Sequence, residues 1–305
     1  EIIPVLKIKH PNEAINVTDL SYFHVNYIKN KIKKDKSLIN QIILAKSFAY
    51  AQNVYGAESY INGFSGYALE LLIIHFGSFF NFINFIAEYK IKNNNKIIID
   101  HENIYKNKDV TIELNKSKLQ SPIILIDPTN KERNALSSLN QETLLKFKLS
   151  CKKFLKNPSL SSFNKQKIEN DFKNKNPIVL SIITNKQPGD ISGTKSKKFF
   201  YFFIDKISKE FKIIKSGFEY DENKNEARVF LIIKAKPSEI IKGPPITMIK
   251  NVKKFKIIHK ETFIKNNYIF AKKVHLAPFN EWFNQFNKNN KIIIKEMGIL
   301  KIKII

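Results

Sequence analysis

The chain has 305 residues, 43% of them hydrophobic, and a formal charge of +25. That length allows two or three domains with buried cores, while no apolar run approaches the roughly 18 residues of a membrane helix and no charged, apolar and small-residue sequence marks a signal peptide. The one cysteine, Cys151, excludes a disulfide framework, and the six histidines show no pair at metal-ligand spacing on one helix face; both fit a reducing cytoplasm.

In chain order, residues 1–10 (EIIPVLKIKH) read as the end of a strand followed by an extended exit. From about Asp19 to Lys90 the period is helical: Phe23, Tyr27, Ile28 and Ile32 recur at helical spacing, as do Ile39, Ile42, Ile43 and Phe48. GYALELLIIHFGSFFNFINFIAEYK reads as one buried helix, or as two broken near Gly77-Ser78. Residues 92–126 hold three β-like runs, KIIID, VTIEL and PIILI, and NQETLLKFKLSCKKFLKN is helical again. The polar stretch 158–177, bracketed by Pro158 and Pro177, reads as a linker. Beyond it IVLSIIT is a strand, KSKKFFYFFIDKISKEF a helix, and KIIKSGFEYDE and EARVFLIIKAK are strands around a turn. YIFAKKV and KIIIKEMGILKIKII add strand character. The fold class is α+β, a helical part followed by an α+β part with an antiparallel sheet. No internal repeat of 20–50 residues is present.

The lysine surplus has two explanations. Clustered lysines displace counterions from phosphates, which points to a nucleic-acid partner; a Lys-, Asn- and Ile-rich composition also arises from a low-GC genome. Of 52 basic residues only Arg133 and Arg228 are arginine. A guanidinium is a planar fork of donors that an ammonium cannot imitate, so Arg133 is a candidate for bidentate recognition of a base edge or phosphate, or else for a structural ion pair. Gly56, Gly63 and Gly66 fall within eleven residues of a chain that has nine glycines. They mark close backbone approach or positive φ before a helix whose N–H groups can hold an anion. A tight helix–helix turn would use the same residues.

These residues also carry a resemblance. Tyr55-Gly56-Ala57-Glu58, Gly63-Phe64-Ser65-Gly66-Tyr67 and Glu70-Leu71-Leu72 resemble the hallmark region of the archaeal class I CCA-adding enzymes, which are tRNA nucleotidyltransferases. IDPTNKERNALSSLN is similar to that family's Asp-Pro-Val-Asp-x-x-Arg-Asn-Val-Ala-Ala segment, and FLKNPSLSSF to the segment after it. EIIPVLKIKHPNEAINVTDLSYFH resembles the family's exit from the catalytic domain, and KGPPITMIKNVKKF its C-terminal Gly-Pro element. The match is dense over 1–165 and thin after 178.

The resemblance implies four regions: the end of a nucleotidyltransferase head domain at 1–12; a helical substrate-binding neck of the poly(A) polymerase and oligoadenylate synthase type at 13–157; the linker 158–177; and an α+β tRNA-binding body and tail at 178–305. It implies template-independent addition of CCA to the tRNA 3′ end from CTP and ATP, with Mg2+ held mainly by the head. Lys46 and Tyr55 fall at the family's triphosphate ligands and Arg133 at its base-reading arginine. His24 falls at the Thr-Pro-Phe-His element, here Ser21-Tyr22-Phe23-His24, either supporting the nucleotide pocket or packing. Glu1 falls at the third catalytic aspartate and is the candidate catalytic and metal-binding residue, one methylene longer than the family's residue. Lys195, Lys197, Lys198, Lys253 and Lys254 are candidates for gripping the tRNA acceptor stem.

No Gly-Ser loop followed by an Asp-x-Asp pair occurs in the sequence; Asp100-His101-Glu102 mimics the spacing and reads as a strand end and turn. The expectation is a chain without most of its catalytic head, inactive alone and completed by a separate head domain. Its expected partners are the tRNA acceptor stem and 3′ end, ATP and CTP, with no membrane. Members of the family often pair, so a homodimer is a further expectation. Two other readings stay open: a poly(A)- or oligoadenylate-type polymerase, and a non-catalytic RNA-binding remnant.

Overall fold

The helical period of the first ninety residues becomes four helices in the computed structural model: α1 (Ser21–Lys34), α2 (Leu38–Ala51), α3 (Gly66–Phe76) and α4 (Phe79–Glu88). The structure describes residues 4–90, 96–106, 108–173, 175–185, 187, 190–236, 238–259, 261–273 and 278–305. The role expected of Glu1 falls outside them. The chain divides into two units, Glu1–Lys167 and Ile168–Ile305.

The long apolar stretch is two helices, not one. Gly77 adopts φ 76° at the end of α3, where its N–H bonds to the Ile73 carbonyl, and the Ser78 hydroxyl accepts the Asn81 N–H to start α4. A left-handed residue costs glycine nothing and ends a helix; the two axes are bent by 96°. Among the described residues no single helix is long and apolar enough to cross a membrane.

α2 is apolar on all sides, so its period cannot choose which face is buried. Leu38, Ile42, Ala45 and Phe48 face the core, whereas Ile39 and Ile43, expected there too, are exposed. Phe48 is fully buried, with the rings of Phe79, Phe147, Phe154 and Phe163 at 5.3–5.8 Å. A fully buried ring such as Phe48 contributes about 1.5–3 kcal/mol by leaving water.

The first unit continues with β1 (Ile97–Ile99), α5 (Val110–Glu113), β2 (Ile123–Asp127), β3 (Asn130–Asn134) and α6 (Gln141–Lys156). β1 runs parallel to β2, and β3 antiparallel to it. VTIEL, expected as a strand, is instead the helical turn α5: Asp109 accepts the Thr111 N–H as a cap, and Val110 and Leu114 are both buried. The polar stretch read as a linker is tied down at two phenylalanines. Phe163 packs into the first unit's core, and Phe172 is buried in the second unit with its ring stacked on Phe230.

In the second unit β4 (Ile178–Thr184), α7 (Ile191–Ser208), β5 (Phe211–Asp221) and β6 (Glu226–Ala235) follow one another. Next come β7 (Glu239–Pro245), α8 (Ile249–Ile258), β8 (Thr262–Lys265), β9 (Tyr268–Lys273), α9 (Phe279–Asn289), α10 (Lys291–Glu296) and β10 (Ile299–Ile304). Strands β10-β4-β6-β5 form one antiparallel sheet and β7-β9-β8 another. On α7, Phe199 and Phe203 pack against Phe286 of α9, beside Trp282 and Phe283. KIIIKE was expected to be strand but is the helix α10, and Gly298 at φ 75° turns the chain into β10. The helices α8 and α9 lie in stretches where the sequence pattern suggested no helix.

Candidate nucleotide site

The glycine-rich segment between α2 and α3 is a crossing of two backbones. Tyr55 and Phe64 form a parallel bridge; Gly56 N–H donates to the Phe64 carbonyl at 2.8 Å, Phe64 N–H to Val54 at 2.8 Å, and Gly63 N–H to Gly56 at 2.9 Å. A Cβ on Gly63 would stand 2.0 Å from the Val54 carbonyl oxygen, and Gly56 has φ 129°. Only glycine allows this approach.

The crossing delivers Tyr55 to the start of α3. A Cβ on Gly66 would lie 2.9 Å from the Tyr55 hydroxyl and 3.8 Å from Lys46 Cε, so both side chains run past the first residue of the helix. Lys46, on α2, donates from Nζ to Glu70 Oε1 at 2.6 Å, one turn further along α3. Both members of that ion pair are partly exposed.

The residue after Gly66 joins a second cluster. Tyr67 donates its hydroxyl to Asp127 Oδ1 at 2.9 Å. The His24 ring of α1 stacks on the Tyr67 ring, with centroids 3.9 Å apart and planes 22° apart. The guanidinium carbon of Arg133, on β3, lies 5.7 Å from the Tyr67 ring centre.

Asp127, the last residue of β2, is fully buried. Its Oδ1 accepts from Tyr67, from Thr129 N–H at 2.8 Å and from the Thr129 hydroxyl at 2.8 Å. Its Oδ2 lies 2.5 Å from Arg133 Nη1 and 3.0 Å from His24 Nε2. One imidazole nitrogen cannot both donate to Asp127 and accept from Arg133. The shorter contact fixes Nε2–H as a donor to the carboxylate, and the 3.4 Å approach of Arg133 Nη1 to the same nitrogen is then only proximity. Burial by itself would push the Asp127 carboxyl up, but the His24 hydrogen bond and charge, the Thr129 N–H and Arg133 outweigh it and hold the group well below the usual carboxylate range. Burial, and then Asp127, push the Tyr67 phenol up, so it stays protonated as a donor.

Of the residues expected at a site, His24, Lys46, Tyr55 and Arg133 are thus gathered around the first two turns of α3. Tyr67, Glu70, Asp127 and Thr129 complete the arrangement without having been singled out. All four stand inside the motif stretches, but periodicity does not tell which acids in them face inward. Chemically the arrangement sets an ammonium and a phenol beside the positive end of a helix, and a guanidinium paired with Asp127 against the ring of the helix's second residue, Tyr67.

The other candidates lie elsewhere. Arg228, on β6, pairs in register with Glu219 of β5. Lys195 donates to Gln187 at 2.9 Å, and the Lys197 ammonium sits 4.8–5.1 Å from the ring centres of Phe218, Phe200 and Tyr201. Lys198 on α7, and Lys253 and Lys254 on α8, are exposed. Asp100-His101-Glu102 is a turn after β1: Asp100 accepts the Tyr105 N–H, and Glu102 accepts from Tyr27 and Lys31. Among the described residues no three His, Cys, Asp or Glu side chains converge to hold a metal. Both oxygens of Asp127 are filled by protein donors, so these residues do not build a magnesium site.

Residues 40–164 match the family described as tRNA nucleotidyltransferase, second domain. The chain is 34% identical to the CCA-adding enzyme of Nanoarchaeum equitans over 88% of its own length and 64% of that protein's. It is 29% identical to the CCA-adding enzyme of Methanocaldococcus jannaschii, over 89% of this chain and 61% of that one. With the CCA-adding enzyme of Methanococcus maripaludis it shares 30% identity, over 90% and 62%. The chain therefore spans somewhat under two thirds of the length of these relatives. On these matches, residues 40–164 resemble the second domain of tRNA nucleotidyltransferases, and most of the chain is similar to archaeal CCA-adding enzymes.

Proposed function

We propose that this chain supplies the nucleotide-reading and tRNA-gripping parts of an enzyme that adds CCA to tRNA 3′ ends from CTP and ATP. The convergence of Lys46, Tyr55 and Arg133 on the start of α3 carries this reading. Lys46 and the Tyr55 hydroxyl grip the triphosphate as a point cation and a donor. Arg133 presents guanidinium donors to the Watson–Crick edge of the incoming base. His24 supports this pocket by stacking beneath it on Tyr67. Lysines of the second unit, Lys195, Lys197, Lys198, Lys253 and Lys254, hold the acceptor stem through its phosphates, which suits A-form RNA.

Nucleotidyl transfer needs acidic ligands for Mg2+, and the described residues do not assemble them; a catalytic head domain outside these described residues supplies them. Work in the cytoplasm, on tRNA, belongs to the same reading. The relatives support it: each is a CCA-adding enzyme.

The test is nucleotide incorporation into tRNA lacking its terminal CCA, by the full-length enzyme carrying this chain. Lys46→Ala should raise KM for CTP and ATP together, roughly tenfold or more, as expected when binding common to both is lost. Unchanged KM values for both would remove Lys46 from the site. Incorporation of ATP alone would favour a poly(A)-type polymerase instead. Nucleotide addition by the 305-residue chain by itself would contradict the assignment of the metal ligands to another segment.

A further inference from the structure

We infer that Asp127 is a positioning residue that sets nucleotide choice by holding the Arg133 guanidinium in one orientation; the inference rests on the nucleotide reading above. Asp127 is fully buried and its oxygens accept from four side chains and one backbone N–H, so it has neither the exposure nor the free lone pairs to meet a nucleotide. Its effect on a substrate must pass through a neighbour. Of its donors, Arg133 combines a charge with remaining N–H groups, because only Nη1 is engaged with the carboxylate.

A guanidinium left free would swing on its side chain and offer donors to the acceptors of any base. Three constraints stop that here. Oδ2 pins Nη1 at 2.5 Å, the Tyr67 ring lies 5.7 Å from the guanidinium carbon, and His24, stacked on the same ring, fills the other approach to Oδ2. Tyr67 and Thr129 hold Oδ1, so the carboxylate cannot rotate away. A buried charge set is weak evidence for stability, since desolvation offsets much of the attraction; it is better suited to fixing a geometry. The Lys46–Glu70 pair makes the contrast. It is partly exposed and rests on a single contact to a flexible ammonium, which limits lateral drift of Lys46 without setting a direction.

The experiment uses the full-length enzyme and measures incorporation of UTP and GTP relative to CTP and ATP, KM for CTP, and a thermal melt for each variant. Asp127→Asn should raise misincorporation roughly tenfold, with KM for CTP changed by no more than about twofold. The double variant Asp127→Asn, Arg133→Lys should select no worse than Arg133→Lys alone, because both changes remove one device. A purely structural role would instead make the two defects additive. Glu70→Gln should raise KM and leave selection alone. If Asp127→Asn does not fold, Tyr67→Phe removes one hydrogen bond to the carboxylate and keeps the ring; it should loosen selection by a smaller factor. Wild-type selection in a folded Asp127→Asn variant, additive defects in the double, or unaltered selection in Tyr67→Phe would each overturn the inference. Unchanged selection in Arg133→Lys would instead sink the nucleotide reading on which it rests.

Discussion

In the first unit the cations near α3 are tied to carboxylates, Arg133 to the buried Asp127 and Lys46 to Glu70. On α8 of the second unit, Lys253 and Lys254 stand exposed on a helix with no buried residue. A cation held by a buried partner has a direction and can distinguish one base edge from another. A cation on a flexible stem in water has only a position, and attracts any phosphate within a Debye length. On the proposed function, the same net charge divides into a part suited to selection and a part suited to affinity. Lys197 lies between these cases: its ammonium has three aromatic rings at 4.8–5.1 Å, whereas Lys198 one residue on is exposed.

The sharpest way to break the comparison is to move the scaffold of the selective cluster. Gly63→Ala would press a methyl to 2.0 Å from the Val54 carbonyl. Relieving it requires the crossing to open, at about 3 kcal/mol by analogy with overpacked cores. Urea unfolding should show that loss, and incorporation assays should show weaker CTP and ATP binding together, since Tyr55 moves with the loop. Next in size, Arg133→Lys should cost roughly 10- to 100-fold in CTP/ATP selection, the scale of losing one bidentate contact. tRNA affinity, read by filter binding, should hardly change.

A third effect depends on pH. The Asp127 carboxyl lies below its ordinary value in the folded chain. The stability it contributes is therefore complete above the unfolded value, roughly 4, and is lost as the pH falls below that toward the folded value. Urea midpoints measured between about pH 5 and pH 2 should fall more steeply for the wild type than for Asp127→Asn, closing the gap between them. Parallel slopes would mean that Asp127 is not held as described. The smallest effect is expected from Lys253→Ala with Lys254→Ala. It should weaken tRNA binding a few-fold for every tRNA alike and reduce the salt slope by about 1 to 2, with nucleotide selection intact.

The local chemistry of the site was largely legible in the sequence. Three glycines in eleven residues announced a close backbone approach, and Gly63 and Gly56 provide it. An arginine kept among lysines was open to two readings, bidentate recognition of a base edge or phosphate and a structural ion pair; the structure shows an ion pair, Arg133 Nη1 on Asp127. The period left one helix or two open at Gly77-Ser78; the structure has two, with Gly77 ending α3 and Ser78 capping α4. Less legible were the short apolar runs. VTIEL and KIIIKE have strand composition yet form helical turns, because a cap at Asp109 and continuation from α9 set the local backbone. α2 is so uniformly apolar that Ile39 and Ile43 looked as buried as Ile42.

What the sequence determined alone was the set of residue types and the turns that carry them: the glycine cluster, the helical periods, an arginine among lysines at Arg133, the lysine surplus. The tertiary structure decided which carboxylate answers which cation. His24 and Asp127 stand 103 positions apart and meet at 3.0 Å. Lys46 and Glu70 meet only because α2 and α3 pack side by side. Pairings of this kind depend on how helices and a hairpin dock, and docking is set by shape and burial summed over the whole core. No spacing within one segment encodes that sum, so the acids of the site became visible only once the core had brought them in.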